Sequence, residues 1–417
     1  MLVAGAGVVG TACARALQRS GYSVCLVDPE PPGSACSYGN AGLIASEHVL
    51  PMAHPGVLRK VPAMLLDRRG PLYLKASRLP GLAPWILHFA AACRPSQVAR
   101  GTRAIAALTG AALAAWDEEL AASGGRGLLH RQGMYSVYRS EQGFRRDADE
   151  RDSQRAHGVP WQILSADELR DREPALRTDL ACGVYYPGVA HVSNPQGLVQ
   201  HLDEAFRRNG GTLMLSEVVG FASHPHQVTT ELRNGRVRSR YVVLAAGLES
   251  RRLCSSLGVR IPLAAEMGYH LTFPGSEGWL RTPVAMAERG FAVTPMAGHL
   301  RVAGTVELSA RELPPAWRRA AALQVHAAWL FGKPLPEPAG RWRGSRPTLP
   351  DFLPAIGPLP GHPRVIAAFG HQHIGLTTAA ITGVLVRDLV RGGKPTLDIA
   401  PYHPGRFVSF GTSRSTP

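Results

Sequence analysis

The chain has 417 residues, 45% of them apolar and 18% charged, which is enough for two domains with filled cores and excludes a disordered or fibrous protein. Its formal net charge is +15, and nearly all the basic residues are arginines, with lysine only at Lys60, Lys75, Lys333 and Lys394. The arginines form no tract and no aromatic–basic alternation, so the charge reads as compositional; attraction to an anionic membrane surface is the second reading, and nucleic-acid binding is not expected.

Leu2, Val3 and Ala4 make a short apolar strand. Gly5, Gly7 and Gly10 follow with the Gly-x-Gly-x-x-Gly spacing. Gly5 permits the turn, Gly7 lets a pyrophosphate approach the backbone, and Gly10 lets the next helix pack on the strand. That helix begins near Val8, so its N-terminal N–H groups face the phosphates, and Ala6, Val8 and Val9 share the contact. Gly21 ends it. A second strand over 23–27 leads to Asp28, at the spacing that suits a ribose hydroxyl. Strand, turn, helix and acid together predict a dinucleotide site, and Asp28 argues against a 2′-phosphate.

Residues 29–33 read as a turn and 34–44 as a small, polar stretch able to pass close to a ligand; plain loop is the alternative. From 50 to about 126 the pattern is mostly helical, with a turn at 67–71 and a helix over 102–122 that has Trp116 on its apolar side. The longest apolar run, 82–93, is too short to span a membrane and contains Pro84 and His88. It reads as a buried helix, with an interfacial membrane contact as the alternative. Ser165 and Glu168 have capping-box spacing, and Asn194 caps a helix with Pro195 at its first position. Strands are expected at 128–138, 183–187, 212–219, 227–232 and 238–244, the last ending in Ala245-Ala246-Gly247. Residues 261–341 alternate in a strand-like way around a helix at 316–331 and read as a mixed sheet in an inserted domain. A last strand over 364–369 runs into Gly370-His371-Gln-His373-Ile-Gly375, and a helix over 377–391 closes the fold. Six cysteines without a C-x-x-C pair indicate a reduced, cytoplasmic setting and no metal site.

Several separated motifs agree at this point. The chain resembles the FAD-dependent amine-oxidising family that includes glycine oxidase, sarcosine oxidase and the bacterial D-amino acid dehydrogenases. The matching segments are Gly5-x-Gly7-x-x-Gly10 with Asp28, Ser37-x-x-Asn40-Ala41-Gly42, Ala246-Gly247, and Gly268-Tyr269-x-Leu271-Thr272. Two more lie near the end: Gly344-x-Arg346-Pro347-x-x-Pro350-Asp351, and Gly370-His371-x-x-x-Gly375-x-Thr377. The resemblance implies an α/β fold with a Rossmann-like, doubly wound FAD-binding domain assembled from 1–48, 150–258 and 342–400. It implies an α+β substrate domain with a mixed, largely antiparallel sheet from 49–149 and 259–341, followed by a tail at 401–417. It also implies FAD contacts at Ser37, Asn40, Ala41, Gly42, Val218 (adenine), Ala246, Gly247, His371, Gly375, Leu376 and Thr377.

Arg346 matches the arginine that grips the substrate carboxylate in glycine oxidase, a role that a guanidinium fork suits; pairing with Asp351 is the alternative. Met267 stands where the D-amino acid dehydrogenases carry a basic residue. The wording around Glu266, His270 and His373 is more similar to the branch that oxidises cis-4-hydroxy-D-proline. Glu266, Tyr269, His270 and His373 are therefore candidate pocket residues, with ordinary packing as the alternative, and His270 or His373 could accept the amine proton. The activity implied is oxidation of a D-amino acid or cis-4-hydroxy-D-proline, with oxygen, a quinone or a partner flavoprotein as electron acceptor. Peripheral association with the inner membrane and a hetero-oligomer are further alternatives. The other readings are an oxygen-using glycine/sarcosine oxidase, a nicotinamide-dependent dehydrogenase, a flavin domain acting on RNA, and a structural FAD-binding subunit.

Overall fold

The structure is a computed structural model that describes residues 1–67, 72–74, 79–308 and 311–407. The turn expected at 67–71, beyond Asp67, and residues 408–417 of the expected tail lie outside the described residues.

A six-stranded sheet carries the opening motif. Its order is Ala355–Leu359, His362–Phe369, Val242–Leu244, Leu2–Ala4, Cys25–Asp28, Thr212–Leu215, and only the first of these runs antiparallel to its neighbour. Successive residues of a strand face opposite sides. Leu2 and Ala4 accordingly enter a core with Phe221, Val228 and Leu232 of a three-stranded meander, whereas Val3 packs with Cys13, Leu17 and Val386 of two helices. Those helices, Val8–Arg19 and Gly375–Arg391, lie in direct contact. A Cβ on Gly383 would sit 2.7 Å from the Ala12 carbonyl, so only glycine allows this approach. Helices Pro95–Gly110, Ala112–Ser123 and Pro195–Arg208 complete the layer through Ile105, Trp116 and Val199.

The second sheet runs Gly340–Thr348, Ala264–Pro274, His299–Leu308, Phe291–Met296, Val284–Met286, Met134–Tyr138, Cys182–Tyr186, Gln162–Ser165, with Leu72–Leu74 added alongside His299–Leu308. It is mixed and largely antiparallel, as expected. Its far face packs on helix Arg318–Phe331 through Met267, Tyr269, Leu271 and Phe273.

Strand pairing sets different boundaries from the expected segments. Gln162–Ser165, Cys182–Tyr186 and Gly340–Thr348 belong to the large sheet, whereas Pro95–Gly110 and Ala112–Ser123 pack on the nucleotide-side helices. Sequence order hides this because the chain crosses between the sheets repeatedly.

Several expected elements also divide. The stretch 212–219 leaves the first sheet after Leu215, where the Ser216 N–H makes a last bond to the Asp28 carbonyl, and enters the meander at Val218. The stretch 238–244 divides between the meander and the parallel sheet, and the helix expected over 102–122 breaks at Ala111. The Ser165/Glu168 capping box and the Asn194/Pro195 helix start form as expected. Helix Leu79–Ala92 is not the buried helix expected: it packs through Trp85 and Phe89 on Phe352 and leaves Leu87 71% exposed. Among the described residues one helix, Gln372–Arg391, is long and apolar enough to cross a membrane, and most of it is buried within the fold.

Candidate active site

The first half of the site is built at the turn leaving Leu2–Ala4. Gly5 has φ +109°, and a Cβ there would lie 2.4 Å from the Ala245 carbonyl oxygen. One on Gly10 would lie 1.8 Å from the Gly5 carbonyl oxygen. Both glycines are therefore demanded by the protein itself. Gly7 differs: the nearest atom to its Cβ position is Ser37 Oγ at 3.5 Å, an ordinary contact. Its bareness leaves open space over the helix N-terminus, where a pyrophosphate fits. The N-cap residue, Gly7, has no side chain with which to cap helix Val8–Arg19; the Val8 N–H donates to Ser37 Oγ at 3.0 Å, and Val9 follows in the same turn, half-buried.

Asp28 accepts from the Ala6 N–H at 2.7 Å and from the Glu30 N–H at 2.9 Å. Burial raises its pKa, opposed by those two bonds. Each oxygen keeps a lone pair for a ribose hydroxyl. Ala246 and Gly247 leave strand Val242–Leu244 against Gly5. Val218 begins the meander, and its carbonyl accepts from Arg252 Nη2 at 2.9 Å.

The loop at 37–42 is held from the large sheet. Arg301, buried, donates through Nη1 to the carbonyls of Tyr38 (2.8 Å) and Asn40 (2.7 Å). Asn40 Oδ1 accepts from the Gly42 N–H at 2.8 Å, which fixes Ala41 between them; Gly42 has φ +81°. The first turn of Gly375–Arg391 is also uncapped by a side chain. Trp116 Nε1 donates to the carbonyls of Leu376 and Thr377, and Thr377 Oγ1 accepts from the Ala45 N–H. The His371 side chain is turned inward onto Thr382 Oγ1 at 3.0 Å, and burial drops its pKa to about 3. Any contact it makes with a cofactor is through backbone. Two helix starts without an N-cap side chain, an open glycine and a ribose-spaced acid fit an adenine dinucleotide.

Strand Ala264–Pro274 supplies the other wall. Glu266, Gly268 and His270 share the face turned to the nucleotide unit, and Tyr269 shares the opposite, core face. Tyr269 is thus not a pocket residue: its hydroxyl donates to Glu307 and accepts from the Ala316 N–H. Opposite the first three, across the ladder with Gly340–Thr348, stand Arg346, Gly344 and Trp342. Two facing glycines leave a shallow floor. The Arg346 guanidinium lies over Gly268, and the Trp342 indole lies over Gly344 and Gly39.

His270, 1% exposed, stacks beneath Trp342 at 5.2 Å, with Nδ1 3.2 Å from the Gly39 carbonyl. Burial, then the Arg301 charge, lowers its pKa to about 3. It is a neutral packing residue and no proton acceptor.

Arg346 Nη1 donates to Glu266 Oε1 at 2.9 Å and to the Thr305 carbonyl at 3.1 Å. Among the described residues its Nε and Nη2 make no hydrogen bond. Asp351 does not compete, being paired with Arg406 at 2.6 Å. Thr305 has φ +62° and sits at a bulge in His299–Leu308, opposite Gly268, which aims its carbonyl at the guanidinium. Its hydroxyl is buried and has no hydrogen-bond partner among the described residues. Glu266 is 2% exposed; Thr348 Oγ1 donates to its Oε2, and His373 Nε2 lies 2.8 Å from Oε1, with the ring turned off the line of a straight hydrogen bond. Burial pushes the Glu266 carboxyl up, but His373 and Arg346 together outweigh it and hold it at about 2.

The sequence brings forward Glu266, Arg346 and His373, which the structure gathers around one oxygen. It does not bring forward Thr305, Thr348, Trp342 or Arg301. Only the paired glycines, Gly268 and Gly344, signalled that large side chains lie across this floor.

A phosphate cradle on a parallel sheet, facing an arginine-bearing antiparallel wall, is the arrangement of a flavin-dependent oxidoreductase. Residues 1–389 match the family described as FAD dependent oxidoreductase (DAO), and the chain belongs to it, with FAD as its cofactor. It is 34% identical to a D-amino-acid oxidase of Bradyrhizobium diazoefficiens over 97% of this chain and 98% of that one. It is 33% identical to D-amino acid dehydrogenase 2 of Ralstonia nicotianae over 96% and 98%. Its fold is that of glycine oxidase from Geobacillus kaustophilus (TM-score 0.75, 22% identity, 98% of each chain) and L-proline dehydrogenase from P. horikoshii (TM-score 0.77, 17% identity, 98% and 97%).

Proposed function

We propose that the chain oxidises a small D-amino acid at Cα, with cis-4-hydroxy-D-proline as the leading ring substrate. The observation that carries this is Arg346: a guanidinium fixed on one nitrogen, with its remaining donors making no hydrogen bond among the described residues. Its free edge is what a substrate carboxylate requires. The names of the relatives agree with the D-configuration.

Bound FAD supplies the acceptor for the hydride that leaves Cα. The chain positions and desolvates. Arg346 grips the carboxylate and orients the Cα–H. Glu266 and the Thr305 carbonyl prevent the guanidinium from swinging away. Trp342, seated between Gly39 and Gly344, closes the aromatic side of the floor against water. The residues at 5–10, 28, 37–42, 246–247 and 375–377 hold the dinucleotide, and Val218 meets the adenine. Electrons pass on to oxygen, a quinone or a partner flavoprotein. For a membrane quinone, the exposed apolar helix Leu79–Ala92 is the surface that would meet the inner membrane.

The test is anaerobic mixing of the purified flavoprotein with D-amino acids, D-proline derivatives, glycine and sarcosine, followed by oxygen or a quinone. Bleaching by a D-amino acid or a D-proline derivative is expected. Arg346→Ala should raise KM for every carboxylate substrate about 10- to 100-fold, the loss of a charge-assisted contact. An unchanged KM would remove Arg346 from the site.

A further inference from the structure

The chemistry above needs a neutral amine. An α-hydride can leave only if the nitrogen lone pair is free to form the C=N bond, yet amino acids carry an ammonium at neutral pH. Some group must take that proton, and the described residues near Arg346 offer three imidazoles besides His373. His270 lies under Trp342, His371 is bonded to Thr382, and His48 is held neutral by burial.

We propose that His373 takes the ammonium proton on Nδ1 and that Glu266 is the positioning residue that makes it able to. This rests on the amino-acid-oxidising reading of the site. His373 sits in the turn Gln372–Ile374 that enters helix Gly375–Arg391, with its side chain 30% exposed. Its Nε2 faces Glu266 Oε1 at 2.8 Å, and Arg346 Nη1 bonds the same oxygen at 2.9 Å. The two nitrogens are therefore within about 6 Å of one another. Both are the Glu266-facing nitrogens, so the shared carboxylate sets the guanidinium and the imidazole side by side, close enough for one amino acid to reach both side chains.

A carboxylate beside one ring nitrogen favours the tautomer that carries the proton there, which leaves the lone pair on the other nitrogen. Glu266 can do this because it is buried and itself held by Arg346 and Thr348. The charged and titratable groups around His373 are Glu266 from one strand, Arg346 from the next, His48 from the segment after Leu43–Ile44, and His371 on its own turn.

The step balances. The N–H proton passes from the ammonium to His373 Nδ1. The Cα–H bond then breaks, its electron pair and hydrogen reducing FAD by two electrons. The nitrogen lone pair forms the C=N bond, and His373 returns its proton to solvent.

The experiment is stopped-flow flavin reduction in the holoenzyme, with the best substrate of the screen, as a function of pH. The wild type should reduce at a rate nearly independent of pH around neutrality. His373→Asn should be slow there and gain about tenfold per pH unit, following the free-amine fraction of the substrate until it nears the wild-type rate. Its affinity for a carboxylate inhibitor should stay near wild type. Glu266→Gln should shift in the same direction, with partial rescue in Glu266→Asp. A His373→Asn enzyme with wild-type rate and a flat profile overturns the proposal while leaving the amino-acid reading intact. If His373→Asn cannot hold FAD, a flat wild-type profile in Glu266→Gln overturns it. Failure of every amino acid to bleach the wild-type flavin would refute the functional reading instead.

Discussion

Gly268→Ala isolates the geometry of Arg346 without removing any charged group. Gly268 lies in a regular strand without a left-handed φ, so alanine meets no backbone objection. Its Cβ, however, would lie 2.2 Å from Arg346 Nη2 and 2.4 Å from Cζ. Ordinary contact begins near 3.4 Å, so the guanidinium must retreat by about 1 Å. It is the far end of a flexible side chain and can move, but its Nη1 bonds to Glu266 and Thr305, at 2.9 and 3.1 Å, would then stretch beyond bonding range. A misplacement of this size in a positioning group costs about 10- to 100-fold, or roughly 1.4–2.7 kcal/mol of transition-state binding. The expected result is that loss in kcat/KM for amino acids, with flavin absorbance kept and little change in Tm. An analogue without the carboxylate should lose almost nothing. Wild-type kcat/KM in the variant, or equal losses for both substrates, would show that the guanidinium is not the carboxylate anchor.

Gly10→Ala should abolish flavin binding, because its Cβ would meet the Gly5 carbonyl oxygen at 1.8 Å, backbone against backbone; colourless purified protein is the readout. The Glu266 carboxyl is depressed to about 2 from 4.5, so its pairing stabilises the fold above pH ~4.5 and is lost as pH falls toward about 2. The Tm gap between wild type and Glu266→Gln should therefore narrow on acidification, and a gap constant with pH contradicts the pairing. Glu47 behaves oppositely. Burial, with the Glu150 charge nearby, lifts it to about 7, so its contribution is present below pH ~4.5 and declines as pH rises through about 7. Glu47→Gln should gain in Tm over wild type on going from mildly acidic to mildly alkaline buffer, and an equal Tm at both ends argues against burial of that carboxyl.

The nucleotide end was legible because its determinants are local. A strand, three glycines, a helix start and an acid lie within residues 2–28, and each constrains its neighbours through turn geometry and close packing. The cap at Asn194 and the box at Ser165 were readable for the same reason. Domain segments were harder. Whether 162–165 pairs with 182–186 or joins the parallel sheet depends on partners far along the chain, and period-2 alternation is the same in either sheet. Helix Leu79–Ala92 departs from the expectation because apolar composition does not say how much apolar surface exists to receive it; Trp85 and Phe89 find Phe352, and Leu87 stays exposed.

On the large-sheet wall, the residues at 266–270 and 346 stood out in the sequence, and their geometry did not. Tyr269 and His270 are adjacent in sequence, and alternation alone puts them on opposite faces; choosing which faces the flavin requires the core partner. That partner is helix Arg318–Phe331, which claims Met267, Tyr269, Leu271 and Phe273 together. Once these are buried on one side, Glu266, Gly268 and His270 must take the other, and the ladder register sets Arg346 opposite Glu266. The same register explains why Arg346 cannot be treated as an isolated substrate-binding cation. It forms half of an ion pair whose carboxylate is also shared with His373, so double-mutant cycles that pair Glu266 with either partner should be non-additive.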